Sequence, residues 1–234
     1  MKHYDELENL AKMIDISAVR TDVTISELEY MMELVKKYRF ICAFTMPCFT
    51  PWLADALKDV PETGLGGAVG FPSGTSTTPI KVAIAKELLS FGCNELDMVI
   101  NVGALKSGLY DIVRDDIKAV VDAAQGVPVK SILEIAYLTD DEIKRGSELA
   151  VEAGVTFVKT GTGWGPKPTT VDTIRLIKET IGDSAKIKAA GGVRDLDTIY
   201  AMKEAGFSRF GIGLNSLVKI MEEADRILGR DINK

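Results

Sequence analysis

FVKTGTGWGP, residues 157–166, is an apolar run that delivers one lysine, Lys159, and then breaks into glycine and threonine. A second stretch, KIKAAGGVRD (186–195), repeats the arrangement, with Lys188 just ahead of its own glycine-rich turn. Alternate residues of a β-strand face the same way, so Phe157 and Lys159 share a face, and so do Lys186 and Lys188. Lys186 then reads as the strand entry near a solvated base, and Lys188 as an interior residue nearer the top, with Ile187 pointing the other way. The C-terminal ends of parallel strands in an α/β barrel are where such side chains collect.

Working outward from these two stretches, further β-rich runs read as strands: KMIDIS (12–17), RFICAFT (39–45), GLGGAVG (64–70), NELDMVI (94–100), PVKSILEI (128–135) and FSRFGI (207–212). The runs around the two lysines extend to 155–160 and 185–190. Their apolar character suits strands covered on both faces. Amphipathic segments lie between them. In 26–38, Leu28, Met31, Met32 and Val35 fall at helical spacing. In 80–92, Val82, Ile84, Ala85 and Leu88 precede a glycine, a common helix stop. Thr77, Thr78 and Pro79 suit the start of that helix. Segments 110–124, 139–153, 169–181, 194–205 and 215–229 read likewise, and an extra helix over 3–12 precedes the first strand. Eight strand–helix units without a linker predict one TIM (β/α)8 barrel spanning residues 1–234. An open doubly wound sheet is the competing layout. It would concentrate special residues at one switch point, whereas here they follow many different strands.

Composition narrows the chemistry. The chain has 234 residues, 46% of them hydrophobic, and a net charge of −6. Basic and acidic residues are interleaved, so no nucleic-acid footprint stands out. The longest apolar runs fall far short of the ~20 residues that span a bilayer. The N-terminus is acidic and polar, unlike a signal peptide. Cys42, Cys48 and Cys93 lack metal-ligand spacing and are odd in number, which points to a reduced, cytoplasmic setting. The only histidine is His3. A Ser-His-Asp triad or a histidine-ligated zinc site is therefore not expected, and the chemistry falls to Asp, Glu, Lys, Tyr or Cys. No metal or cofactor is called for, the partners are small molecules, and a homo-oligomer is compatible with the sequence.

Asp97 lies in strand 4, Lys130 and Glu134 in strand 5, Lys159 in strand 6 and Lys188 in strand 7. A single strand lysine is usually a solvated edge or one half of a structural ion pair. Two on adjacent strands, each just before a glycine-rich loop and sharing a barrel with an aspartate, suggest catalysis. A lysine amine has a pKa of ~10.4 in water and is a poor nucleophile at neutral pH. Burial and a second cation both penalise its charged form. The neutral amine then attacks a carbonyl to give a Schiff base, whose iminium withdraws electrons and lets the neighbouring carbon become an enamine. Asp97 could move protons directly or through water; alone, it could equally be a capping or salt-bridge carboxylate. AAGGVRD (189–195) and FGIGLNS (210–216) follow strands 7 and 8, where barrels commonly bind phosphate through backbone N–H groups at helix starts. Gly191, Gly192 and Gly213 allow close backbone approach, and free N–H groups are expected at the starts of both following helices. Tight turns alone would also explain these glycines. Arg194 either reinforces the anion site or pairs with Asp195 or Asp197.

GFPSGTSTTPIKVAIAKE (70–87), ELDMVINVGALKSG (95–108), ELAVEAGVTFVKTGTGWG (148–165) and KAAGGVRDLDT (188–198) resemble, in order, the motifs of the 2-deoxyribose-5-phosphate aldolase family. The similarity runs from about residue 64 to 213. The resemblance implies a class I aldolase on a TIM barrel, with Lys159 forming the Schiff base, Lys188 tuning it and Asp97 serving proton transfer. It implies reversible joining of acetaldehyde to glyceraldehyde 3-phosphate without a metal. The substrate and phosphate set would comprise Thr160, Gly163, Gly191, Gly192, Gly213, Asn215 and Ser216. Several rim positions depart from the family pattern. Gly161 replaces the serine of KTSTG, and Glu134 is followed by Ile135 and Ala136 rather than threonine. Gly213 and Leu214 stand where a serine pair is usual, with Asn215 and Ser216 just beyond. The loop GPKPTT (165–170) and the strand 2 end, FTMPCFTP, are also unusual. A Schiff-base lyase or aldolase of the same family with another aldehyde or sugar, and a non-catalytic sugar-phosphate-binding barrel, are the alternative functions.

Overall fold

Each apolar run becomes a short parallel strand, and in the computed structural model, which describes residues 6–230, the strands close on themselves. They are β1 (Ile14–Ala18), β2 (Cys42–Thr45), β3 (Gly64–Val69), β4 (Glu95–Val99), β5 (Val129–Ile132), β6 (Phe157–Lys159), β7 (Lys186–Ala190) and β8 (Arg209–Gly213). They form one closed barrel in sequence order, β8 pairing with β1. The fifth strand stops earlier than the sequence suggests, because Glu134 takes a left-handed φ of 57° and a 3-10 turn, Ile135–Tyr137, follows. The N-terminal segment is also different. Its described part is a 3-10 helix, Leu7–Met13, not an α-helix. Leu7 and Leu10 are both buried, and a spacing of three puts them on one side of a three-residue turn. His3 lies outside the described residues.

The outer ring comprises α1 (Ile25–Tyr38), α2 (Thr50–Ala56), α3 (Thr78–Ser90), α4 (Val102–Lys106), α5 (Tyr110–Ala123), α6 (Asp140–Glu152), α7 (Val171–Ile181), α8 (Leu196–Glu204) and α9 (Leu214–Ile227). Helices α1 and α6 start on capping boxes, Thr24 with Glu27 and Thr139 with Glu142. The two helices without a sequence signal, α2 and α4, are too short to show a period. The unusual strand 2 end is a 3-10 turn, Pro47–Phe49, running directly into α2. Thr77 is the N-cap of α3 but makes no side-chain cap bond; the Thr78 hydroxyl instead donates to Asp116 Oδ1 at 2.7 Å. Among the described residues, no helix is long and apolar enough to cross a membrane.

Inside the barrel, alternation sends Asp15, Phe44, Gly66, Asp97, Lys130, Lys159, Lys188 and Arg209 toward one another. Gly66 has no side chain because the Phe44 ring fills the space a Cβ would need. That ring supports the ammonium groups of Lys188 and Lys130, 4.5 and 4.9 Å from its centroid. Gly211 likewise yields to Lys188, whose Cε would lie 3.1 Å from a Cβ there.

A second buried lysine site lies outside the barrel lumen. Lys81 of α3 is fully buried; it donates to Asp116 Oδ2 of α5 at 2.5 Å and to the Val99 carbonyl at 2.9 Å. This pair ties α3 and α5 to the end of β4. Asp116→Ala should destabilise the fold by ~3–5 kcal/mol, because it leaves a buried ammonium unpaired. The double replacement Lys81→Met with Asp116→Leu should recover most of that loss. Urea unfolding midpoints check both; an Asp116→Ala midpoint equal to the parent's would show that the pair does not hold these helices.

Candidate active site

Four cations and three carboxylates face one another inside the barrel. Lys159 and Lys188 both donate to Asp97 Oδ2, each at 2.7 Å. Lys130 donates to Asp97 Oδ1 at 3.0 Å and to Glu95 Oε2 at 2.5 Å. Arg209 Nη2 bonds Glu95 Oε1, and its Nε lies 2.8 Å from Asp15 Oδ1. Asp15 Oδ2 lies 2.6 Å from the Lys188 ammonium. Followed around, these contacts form a closed ring of alternating sign: Arg209, Glu95, Lys130, Asp97, Lys188, Asp15 and back to Arg209. The ring is electrically balanced. Lys159 hangs from it through Asp97 and is the seventh, surplus charge.

The consequences for protonation follow from that arrangement. Burial pushes the Lys159 ammonium down, Asp97 pulls it back up, and Lys188 and Lys130 push it down again, leaving a pKa of about 8. Lys130 goes the other way. Burial disfavours its charge, but Asp97, Asp15 and Glu95 outweigh the penalty and hold it above the ordinary lysine range. Burial would raise the Asp97 carboxyl, but Lys130, Lys159 and Lys188 together keep it well below the usual carboxylate range. Asp15 is likewise held low against burial by Lys188, Lys130 and Arg209. Asp15, Cys42 and Glu95 place ligand atoms within 4.8 Å of one another. Both carboxylates already face lysine or arginine, however, and burial raises the Cys42 thiol, so this trio suits the protein's own cations better than a metal.

A cavity of about 280 Å³ opens over Lys159 at the C-terminal end of the barrel. Asp97, Lys188, Gly163, Gly191, Gly192, Gly213, Asn215 and Ser216 all line it, as does Arg194. Thr160 does not. It points to the opposite side of β6, and its hydroxyl bonds the Ala190 carbonyl at 3.0 Å, tying β6 to β7. Its expected substrate role is therefore corrected to a structural one. The two glycine turns also differ. Helix α8 starts only at Leu196 and is capped by its own Asp195, which accepts from Thr198 N. Helix α9 begins on Gly213 with no side-chain cap, so the N–H groups of its first turn are open at the cavity. A Cβ at Gly213 would approach only the Ser17 carbonyl, at 4.0 Å, so packing does not require a glycine there. Gly192 has φ +92°, and a Cβ there would collide with Pro168, so its glycine serves the fold.

One rim departure, Gly161, is matched by its surroundings. Glu134 accepts from both the amide and the hydroxyl of Thr162. A Cβ at Gly161 would stand 2.9 Å from Glu134 Oε1, so the carboxylate occupies the space a serine would use. Trp164 crosses the barrel mouth. Its indole N–H donates to the Val19 carbonyl at 2.9 Å, and its ring meets Phe71 edge-on at 5.7 Å. Sequence reasoning assigned no role to Asp15, Glu95, Arg209 or Trp164. The first three carry a signal, an inward-parity charge within an apolar strand. Trp164 carries none, since its contacts join three distant loops.

The profile of the DeoC/LacD family aldolases matches residues 12–221 of the chain. The deoxyribose-phosphate aldolase of Sinorhizobium medicae is 45% identical over 94% of this chain and 89% of its own length. That of Methanothermobacter thermautotrophicus is 44% identical over 92% and 95%. A crystal structure of a putative deoxyribose-phosphate aldolase from Coccidioides immitis superposes with a TM-score of 0.89 at 31% identity, covering 95% of this chain and 88% of that one.

An amine titrating near 8 has a measurable signature. Below that pH it is protonated and unreactive, so the rate of reductive trapping of acetaldehyde on Lys159 should rise with pH and level off above about 8. Lys188→Met removes a neighbouring positive charge and should move the midpoint upward. Rates read by intact mass across pH check this; a midpoint unchanged in Lys188→Met would mean that Lys188 does not depress the Lys159 ammonium.

Proposed function

The chain belongs to the DeoC/LacD family of aldolases and is a carbon–carbon lyase, and we propose that it cleaves 2-deoxy-D-ribose 5-phosphate reversibly to acetaldehyde and D-glyceraldehyde 3-phosphate through a Schiff base on Lys159. The observation that carries this reading is the pendant lysine: one amine, surplus to a balanced ring, at the floor of the cavity. Its neutral form attacks the C1 aldehyde of the open-chain sugar. Loss of water gives the iminium. Loss of the C3 hydroxyl proton then breaks the C2–C3 bond, and the electron pair passes into the iminium to form the enamine. The first product leaves as the phosphorylated aldehyde. Protonation of the enamine at C2 and hydrolysis release acetaldehyde. The iminium is itself the electron sink, so the sequence needs neither metal nor organic cofactor.

In this scheme Lys188 and Asp97 act beside the imine. Asp97 is too weak a base to keep a proton, being held low by three lysines. It instead orients the Lys188 ammonium, and protons move through that ammonium and water. The phosphate sits at the open start of α9, where partial positive charge and free N–H groups favour an anion. Arg194 stands on the same rim. The cysteines Cys42, Cys48 and Cys93 are unpaired, which fits a cytoplasmic enzyme. A relative from Aeropyrum pernix, 25% identical with a TM-score of 0.86, is described as tetrameric. Assembly of several copies is part of the same proposal, and light scattering checks it.

Lys159→Arg keeps the charge but forms no stable imine. It should abolish both turnover and the borohydride adduct while leaving the fold intact. Retention of even roughly a tenth of the rate, a barrier change of only ~1.4 kcal/mol, would remove Lys159 from its role.

Phosphate recognition predicts that glyceraldehyde 3-phosphate is used with a kcat/KM at least ~100-fold above that of glyceraldehyde, the scale of about two charge-assisted hydrogen bonds. Gly213→Val should reduce that preference without unfolding the protein, because its side chain enters the cavity and not the core. Equal kcat/KM for the two aldehydes in the parent would move the assignment to a different aldehyde.

A further inference from the structure

Arg209 and Glu95 never reach the cavity, yet they close the charge ring below it. Arg209 of β8 is 5% exposed, spans Glu95 of β4 and Asp15 of β1, and lies opposite Lys188 in the strand register. Each aspartate hands one oxygen down and one up. Asp15 meets Arg209 through Oδ1 and Lys188 through Oδ2, with Lys130 farther from Oδ2 at 3.4 Å; Asp97 meets Lys130 below and the two upper lysines above. A change at the base therefore alters how strongly Asp97 can hold Lys159. We propose that Arg209 and Glu95 are positioning residues that set, through the balance of the ring, which interior lysine is neutral and at what pH it becomes so. The inference rests on the reading of Lys159 as the imine-forming amine.

The direction follows from the charges. Lys159 bonds Asp97 of β4 directly, and Lys188 of β7 and Lys130 of β5 act on its charge. Asp15 of β1, Glu95 of β4 and Arg209 of β8 act on it through those groups, while Phe44 and the neutral Cys42 of β2 add no charge. Without Arg209, the ring holds three carboxylates and two cations. Asp15 then draws more on Lys188 and Lys130, Asp97 is left with a larger share of negative charge, and Lys159 becomes the needed third cation. Its proton is then held to higher pH. Without the Glu95 charge, the ring holds three cations and two carboxylates. Lys130 then leans harder on Asp97, and Lys159 loses its proton at lower pH. Removing both restores the balance. A residue that merely supports the fold would lower activity without moving the midpoint, and it would not show opposite signs for the two partners.

The test is the pH midpoint of acetaldehyde trapping on Lys159, followed by mass in the full chain with borohydride as the reductant. Arg209→Met should shift it upward by on the order of one pH unit, the influence of a neighbouring charge in a buried site. Glu95→Gln should shift it downward by a similar amount, and the double variant should return to within a few tenths of a unit of the parent. Should Arg209→Met fail to fold, Glu95→Gln and the double variant carry the same prediction. Midpoints that stay put, or that move in the same direction in both single variants, would overturn the inference. Absence of any adduct on Lys159 in the parent would instead overturn the underlying functional reading.

Discussion

An odd number of charges buried inside the barrel is the constraint on which this fold depends. Lysine, arginine, aspartate and glutamate are costly to bury and are tolerated only when paired. Here three carboxylates and three cations pair into a closed ring, and a fourth cation has no carboxylate of its own. Lys188 has two carboxylates at 2.6 and 2.7 Å; Lys159 shares one. That difference, and not any difference between the amines themselves, separates the proposed nucleophile from its partner. The aromatic faces of Phe44 and Phe157 complete the lining and give Lys130, Lys188 and Arg209 a second source of stabilisation.

The cavity above is shaped by what the loops need to hold themselves. Threonines do much of this. Thr169 bonds both Thr160 and the Ala190 carbonyl, Thr162 bonds Glu134, and the Thr169 amide reaches the Gly191 carbonyl. Gly161 and Glu134 form a matched pair, the missing side chain of one making room for the carboxylate of the other. Trp164 then joins the loop after β6 to those after β1 and β3, so the mouth is braced across its width. None of the altered rim positions belongs to the charge ring below.

The two glycine turns show how similar sequence features diverge. Both glycine turns follow strands and both precede helices. Only one helix starts at the cavity. Asp195 caps the first turn of α8, whereas α9 begins on Gly213 without a side-chain cap. A phosphate placed there would complete the helix in the way a capping side chain does elsewhere.

Much of this was legible in the sequence, because period and punctuation are local. The eight apolar runs, the long amphipathic helices and the lysines of β6 and β7 follow from alternation, from helical spacing and from glycines that stop several of the helices. Lys186 and Lys188 share a face, and position along the strand separates Lys186, exposed at the base, from Lys188, buried farther up. The short helices α2 and α4 escaped because they hold too few turns to show a period. Thr160 was misplaced because a motif names a neighbour of the lysine without saying which face it takes. Tertiary structure alone decided the rest. Asp15, Glu95 and Arg209 stand far apart in the chain, and only closure of β8 onto β1 brings them into one ring. A charge balance is a property of everything within a few ångströms of a point, so which lysine is left over could be counted only once the barrel had closed.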